Sequence, residues 1–110
     1  MRTLTDCERR SLVDEFYAES GSDLVGLWEI AKEVEEFVGT GETAREQSLM
    51  IVRDLLEKGL VAGDPPYSPG GYKVWDDQVP VNVVIRIRTE WLSLGHTPKI
   101  PDIVWFGRRE

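Results

Sequence analysis

Four glycines, at positions 21, 39, 59 and 95, each close a stretch in which apolar residues return at helical spacing, and this punctuation constrains the fold more than any other feature. Thr5 and Glu8 form a capping-box signature ahead of Leu12, Val13, Phe16 and Tyr17, which predicts a first helix ending near Gly21. Ser22 or Asp23 can cap a second helix, in which Leu24, Leu27, Trp28, Ala31, Val34 and Val38 make a broad apolar stripe closed by Gly39. Glu29, Lys32, Glu33 and Glu36 fall largely outside that stripe. A second capping box, Thr43 with Glu46, opens a third helix with Ala44, Ser48, Ile51, Val52 and Leu55 on one side. Gly59 ends it as a left-handed cap, with Leu60 placed to pack back on Leu55. Pro80 suits the first turn of a fourth helix, and Val84, Ile87, Trp91 and Leu94 carry its period to Gly95. The β-branched run Val83-Val84-Ile85 suits a strand as well.

Strands are predicted in the gaps. Leu60-Val61-Ala62 and Tyr72-Lys73-Val74-Trp75 flank a stretch dense in proline and glycine, Gly63 to Gly71, and read as a hairpin with a long tip. The segment from His96 to Pro101 carries two prolines and should be extended. Ile103-Val104-Trp105-Phe106 is too apolar to lie in water and is expected to dock as a terminal strand. No repeat, low-complexity tract or linker interrupts the chain, so residues 1–110 are expected to form a single α+β domain.

At 110 residues the chain is long enough for one core, and 41% hydrophobic with 30% charged residues is the balance of a folded, water-exposed protein. No apolar run approaches the length of a membrane span, and Met1 to Ala18 is too charged for a secretory signal, so a cytoplasmic location is expected. Lone Cys7 cannot form an internal disulfide and reads as a packing residue of the first helix. His96, following Gly95, reads as a solvated or helix-capping imidazole. One His and one Cys cannot supply a structural zinc site within a monomer, and neither the dinucleotide fingerprint nor the phosphate-loop pattern occurs. With no convergent acid–base pair in the sequence, a noncatalytic protein without metal or cofactor is expected.

The order of three helices followed by a hairpin resembles that of a winged-helix domain of the helix-turn-helix group, and the resemblance covers Ser22 to Trp75. That resemblance implies a DNA-binding regulator in which the third helix enters the major groove and the hairpin touches the backbone. Charge opposes it: Ser22 to Asp77 holds twelve acidic residues and only five basic ones, Lys32, Arg45, Arg53, Lys58 and Lys73, within a chain of net charge −7. A surface of that sign repels a polyanion and attracts a basic protein. DNA binding therefore stands as the alternative to protein binding, and it requires those cations to form a strip clear of carboxylates.

The segments Gly26-Leu27-Trp28, Arg53-Asp54-Leu55-Leu56-Glu57-Lys58-Gly59-Leu60, Glu90-Trp91 and Asp102-Ile103-Val104-Trp105-Phe106 resemble those of small uncharacterised bacterial proteins, some similar to immunity proteins of polymorphic toxin systems. The resemblance implies an acidic antidote that covers a basic toxin by direct binding. Candidate partner-binding residues are Glu29, Glu33 and Glu36 on the outer face of the second helix and Asp64, Asp76 and Asp77 around the hairpin base. Trp75, beside two aspartates, and Tyr67, at the Pro-rich tip, are candidate aromatic anchors. Trp28 and Trp91 are expected in the core.

Overall fold

The computed structural model describes residues 2–67 and 69–108. Helix α1, Asp6–Glu19, starts as its sequence predicts: the Thr5 hydroxyl accepts the Glu8 N–H at 3.1 Å and the Glu8 carboxylate accepts the Thr5 N–H at 3.0 Å. It buries Leu12, Val13 and Phe16, and its chain turns away at Ser20. Cys7 belongs to its first turn but is exposed, so the packing role expected of it is corrected.

Helix α2 begins later than expected, at Leu27–Val38, because Val25–Gly26 forms a short strand, β1. Neither Ser22 nor Asp23 caps α2; the Asp23 carboxylate instead accepts the N–H of its neighbour Leu24 at 2.8 Å. Gly26 is the strand-to-helix junction, and a side chain there would collide with the Trp28 indole, whose Cδ1 would lie 2.6 Å from an added Cβ.

Helix α3, Glu42–Glu57, buries Ala44, Ser48, Ile51, Val52 and Leu55 as its period requires. The buried Ser48 hydroxyl donates to the Ala44 carbonyl at 2.7 Å, which removes the cost of an unpaired polar group in the core. The second capping box does not form. Helix α3 starts after Gly41, which places Thr43 and Glu46 inside it, and the Glu46 carboxylate is drawn to Arg45 and Arg88. Gly59 has φ +107°, the left-handed conformation expected of it.

After strand β2, Leu60–Gly63, the chain runs to helix α4, Pro80–Leu94, and ends in strand β3, Trp105–Arg108. The Val83–Ile85 run is therefore helical. The three strands form one antiparallel sheet in the order β1-β3-β2, with Val25 opposite Phe106 and Ala62 also opposite Phe106. This corrects the expected hairpin: β2 takes the terminal strand as its ladder partner, because Phe106 is fully buried there while Val74 stays 46% exposed. Tyr72 to Trp75 lies along the opposite edge of β2 as a strap, joined by one bridge between Gly63 and Val74. The Trp75 N–H reaches the Ala62 carbonyl at 2.9 Å, and the Gln78 side-chain amide accepts the Ala62 N–H and donates to its carbonyl, both at 2.8 Å.

The result is a mixed α and β architecture of four helices and a three-stranded antiparallel sheet. One hydrophobic cluster draws residues from all four helices and all three strands, with Leu27, Ile51, Leu55, Ile87 and Phe106 at its centre. Among the described residues, no helix is long and apolar enough to cross a membrane.

Candidate functional site

Helices α1 and α2 both pack on α3, and a groove remains between them. At one end Cys7, Glu8 and Ser11 of α1 face Glu36 and Phe37 of α2; at the other Phe16 and Glu19 face Trp28 and Glu29. The two helices therefore run in opposite directions along the groove, with Glu15 and Glu33 shared by both ends. The cavities at the two ends measure about 410 and 420 Å³. Six carboxylates line the groove, Glu8, Glu15 and Glu19 from α1 and Glu29, Glu33 and Glu36 from α2, with Lys32 as the basic residue among its walls. Leu12, Phe16, Trp28 and Phe37 add apolar surface.

At the Glu8 end, the groove meets a cation from its own chain. Arg2 pairs with Glu8, lies 5.7 Å from the centre of the Phe37 ring and donates to the Phe37 carbonyl at 2.8 Å. Hydrogen bonding from the Thr5 backbone and then from Arg2 holds the Glu8 carboxyl below its ordinary value. The Trp28 end is different. Partial burial pushes Glu29 up to about 7, and a hydrogen bond and like charge from Glu19 act in the same direction, opposed by the Gly26 N–H. Trp28 is half-buried in this wall, which corrects its expected place in the core, whereas Trp91 is buried.

Of the residues selected from the sequence, Glu29, Glu33 and Glu36 share the groove face of α2, with Glu29 and Glu33 half-buried and Glu36 exposed. The carboxylates of α1 that complete the groove were not selected, although Glu15 and Glu19 stand four apart and so share one side of the helix. The other candidates lie elsewhere. Trp75 is buried, its indole N–H donates to Asp64 at 2.9 Å, and the Arg86 guanidinium sits 3.5 Å from its ring centre. The N–H edge and a ring face of the proposed anchor are thus occupied within the fold, and Trp75 is corrected to a core residue with Asp64 as its acceptor. Asp77 accepts the Val79 N–H at 3.0 Å and the Asn82 amide at 2.9 Å, securing the start of α4. Asp76 is exposed beside it. Tyr67 is 68% exposed and meets Trp105 edge-on at 6.0 Å. His96 is exposed, with Nδ1 2.8 Å from the Thr97 carbonyl.

Three of the five cations on which nucleic-acid reading depends are paired with carboxylates. Arg45 pairs with Glu42 and Glu46, Arg53 with Glu57, and Lys58 with Asp14. Arg88 grips both oxygens of Glu46, at 2.8 and 3.1 Å, and holds that carboxyl below its ordinary value.

Comparison with family models, curated proteins and solved structures finds no match to this chain. The groove's own chemistry therefore carries the functional reading. Among the described residues, no group of three or more His, Cys, Asp or Glu side chains is arranged to hold a metal ion. What the groove offers is a long, negatively charged channel with aromatic walls.

Proposed function

We propose that the protein is a noncatalytic binding module that captures a basic protein, as an immunity protein covers a cationic toxin. The supporting observation is the α1–α2 groove, where six carboxylates from two helices face each other across aromatic and aliphatic surface. Such a channel complements a positively charged segment, speeds its approach and disfavours acidic competitors. The order α1, α2, α3 and then β2 supports a winged-helix-like core, in which residues 72–75 lie beside β2 through one bridge and α4 and β3 are additions. The pairing of Arg45, Arg53 and Lys58 with carboxylates gives phosphate little to bind and favours a protein over a nucleic acid as partner.

Affinity capture from the native cell tests this with wild type and the double variant Glu33→Lys/Glu36→Lys. Wild type is expected to retain a protein of basic isoelectric point, and the variant to bind it roughly tenfold or more weakly while melting at the same temperature. Equal capture by both, or retention of nucleic acid alone, contradicts the proposal.

A further inference from the structure

We infer that the Trp28 end of the groove is a receptor for one arginine side chain of the captured protein, whose guanidinium takes its place between Glu19 and Glu29. This inference rests on the protein-binding reading and specifies the contact within it.

The first ground is the shape and chemistry of the cavity. It measures about 420 Å³, large enough for a long side chain, and its walls carry the Trp28 and Phe16 rings together with Glu15, Glu19, Glu29 and Glu33. A planar cation lying on an aromatic face while its N–H groups reach carboxylates is the arrangement that suits arginine best.

The second ground is independent of that cavity. At the far end of the same groove the chain already holds one of its own arginines in this manner, Arg2, paired with Glu8 and placed over the Phe37 ring. The groove thus has two ends of similar composition, each an aromatic residue of α2 beside a carboxylate of α1. An intramolecular guanidinium occupies one of them.

The third ground is the state of the acids. Burial first, and then Glu19 beside it, push the Glu29 carboxyl up, which disfavours its ionised form. The charged groups around Glu29 are Glu15 and Glu19 on α1, Asp23 in the preceding loop, and Lys32 and Glu33 on α2; the Gly26 N–H of β1 also reaches it. Negative charge predominates among them. The Trp28 indole edge that carries Nε1 packs over Gly26, and the ring forms part of the groove wall. Such a wall is completed by an incoming cation.

An arriving guanidinium favours the ionised Glu29 carboxylate, whose proton passes to water, and no other bond changes. Binding is therefore linked to pH and tightens as pH rises through about 7, where Glu29 gives up its proton. Above that range the dependence on this group levels off.

The test follows the Glu29 carboxyl and the Trp28 indole N–H by NMR, with acetyl-arginine methylamide as probe and acetyl-citrulline methylamide as its uncharged counterpart. The arginine compound is expected to lower the Glu29 midpoint by about one unit at saturation, a tenfold preference for the ionised site, and to shift the Trp28 resonance. The citrulline compound should do neither. In Glu29→Gln the indole response should vanish with the melting temperature no lower than that of wild type, and capture of the basic partner should lose its pH dependence near neutrality. An unmoved Glu29 midpoint, an equal response to citrulline, or an unaltered response in Glu29→Gln overturns the receptor. Each of those results leaves capture through Glu33 and Glu36 standing, whereas failure of wild type to retain any basic protein removes the broader reading.

Discussion

Glu29 shows how a fold can change the acid chemistry of one residue without a metal or a catalytic partner. Its carboxyl is pushed up from the ordinary 4.5 to about 7, chiefly by burial and then by Glu19. A raised acid stabilises the folded state fully below its unfolded value and loses that contribution as pH climbs through its folded value. Glu29 thus favours the fold below about 4.5 and ceases to favour it as pH passes 7. Replacing it with Gln is expected to flatten the fall in melting temperature between those values and to raise the melting temperature at pH 8, read by circular dichroism. A variant that tracks wild type across the range contradicts this. Glu8 and Glu46 have the opposite sign: both are held below the ordinary value, and their contributions disappear as pH falls through their lowered values. At this scale the sequence was legible where partners are local. Thr5 and Glu8 cap each other because they lie three residues apart. Thr43 and Glu46 have the same spacing, yet Glu46 answers to Arg88, 42 positions away, and no capping pattern records that competitor. Trp75 misled for a similar reason: its two acidic neighbours suggest water, while its indole finds Asp64 and its ring finds Arg86.

At the scale of elements, helices were legible and strand pairing was not. Helical period is written within a dozen residues, so α1, α3 and α4 lie close to where apolar spacing, Pro80 and Gly59 put them. Strand β1 has two residues, too few to show any alternation, and it shortened the expected α2 from its start. The expected hairpin paired near neighbours, as most consecutive strands do, but β2 prefers a strand more than forty residues away that delivers Phe106 into the core. The displaced segment becomes the strap that closes the β2 edge, and Gln78 completes it. Gln78→Ala leaves the buried Ala62 N–H without its acceptor, which should cost about 1–3 kcal/mol in urea unfolding and speed hydrogen exchange at that amide. An unchanged exchange rate contradicts that account of the edge. The two-point grip of Arg88 on Glu46 ties α3 to α4 across a partly exposed surface, so Glu46→Ala should cost only about 1 kcal/mol. A loss several times larger, read from the same urea titration, would mean that the pair anchors more than this contact.

The whole molecule assembles the proposed binding surface from two helices, and only one half of it could be seen beforehand. Glu29, Glu33 and Glu36 stand out on α2 because they flank a strong apolar stripe. Glu8, Glu15 and Glu19 gain meaning only when α1 is laid antiparallel to α2 over α3, a placement that packing decides and local spacing does not. The net charge of −7 sets the sign of the proposed partner, and the groove gathers six of the carboxylates in one place. It is also why the cations of α3 read differently in three dimensions, each answered by a nearby acid.

Calorimetric titration of the captured basic protein, at low and high ionic strength, into wild type and into Glu15→Lys/Glu33→Lys tests the central claim most directly. Because these two carboxylates face each other at the middle of the groove, the account predicts an affinity that drops steeply with salt and falls about tenfold or more in the variant. Affinity indifferent to both salt and the two reversals would contradict it.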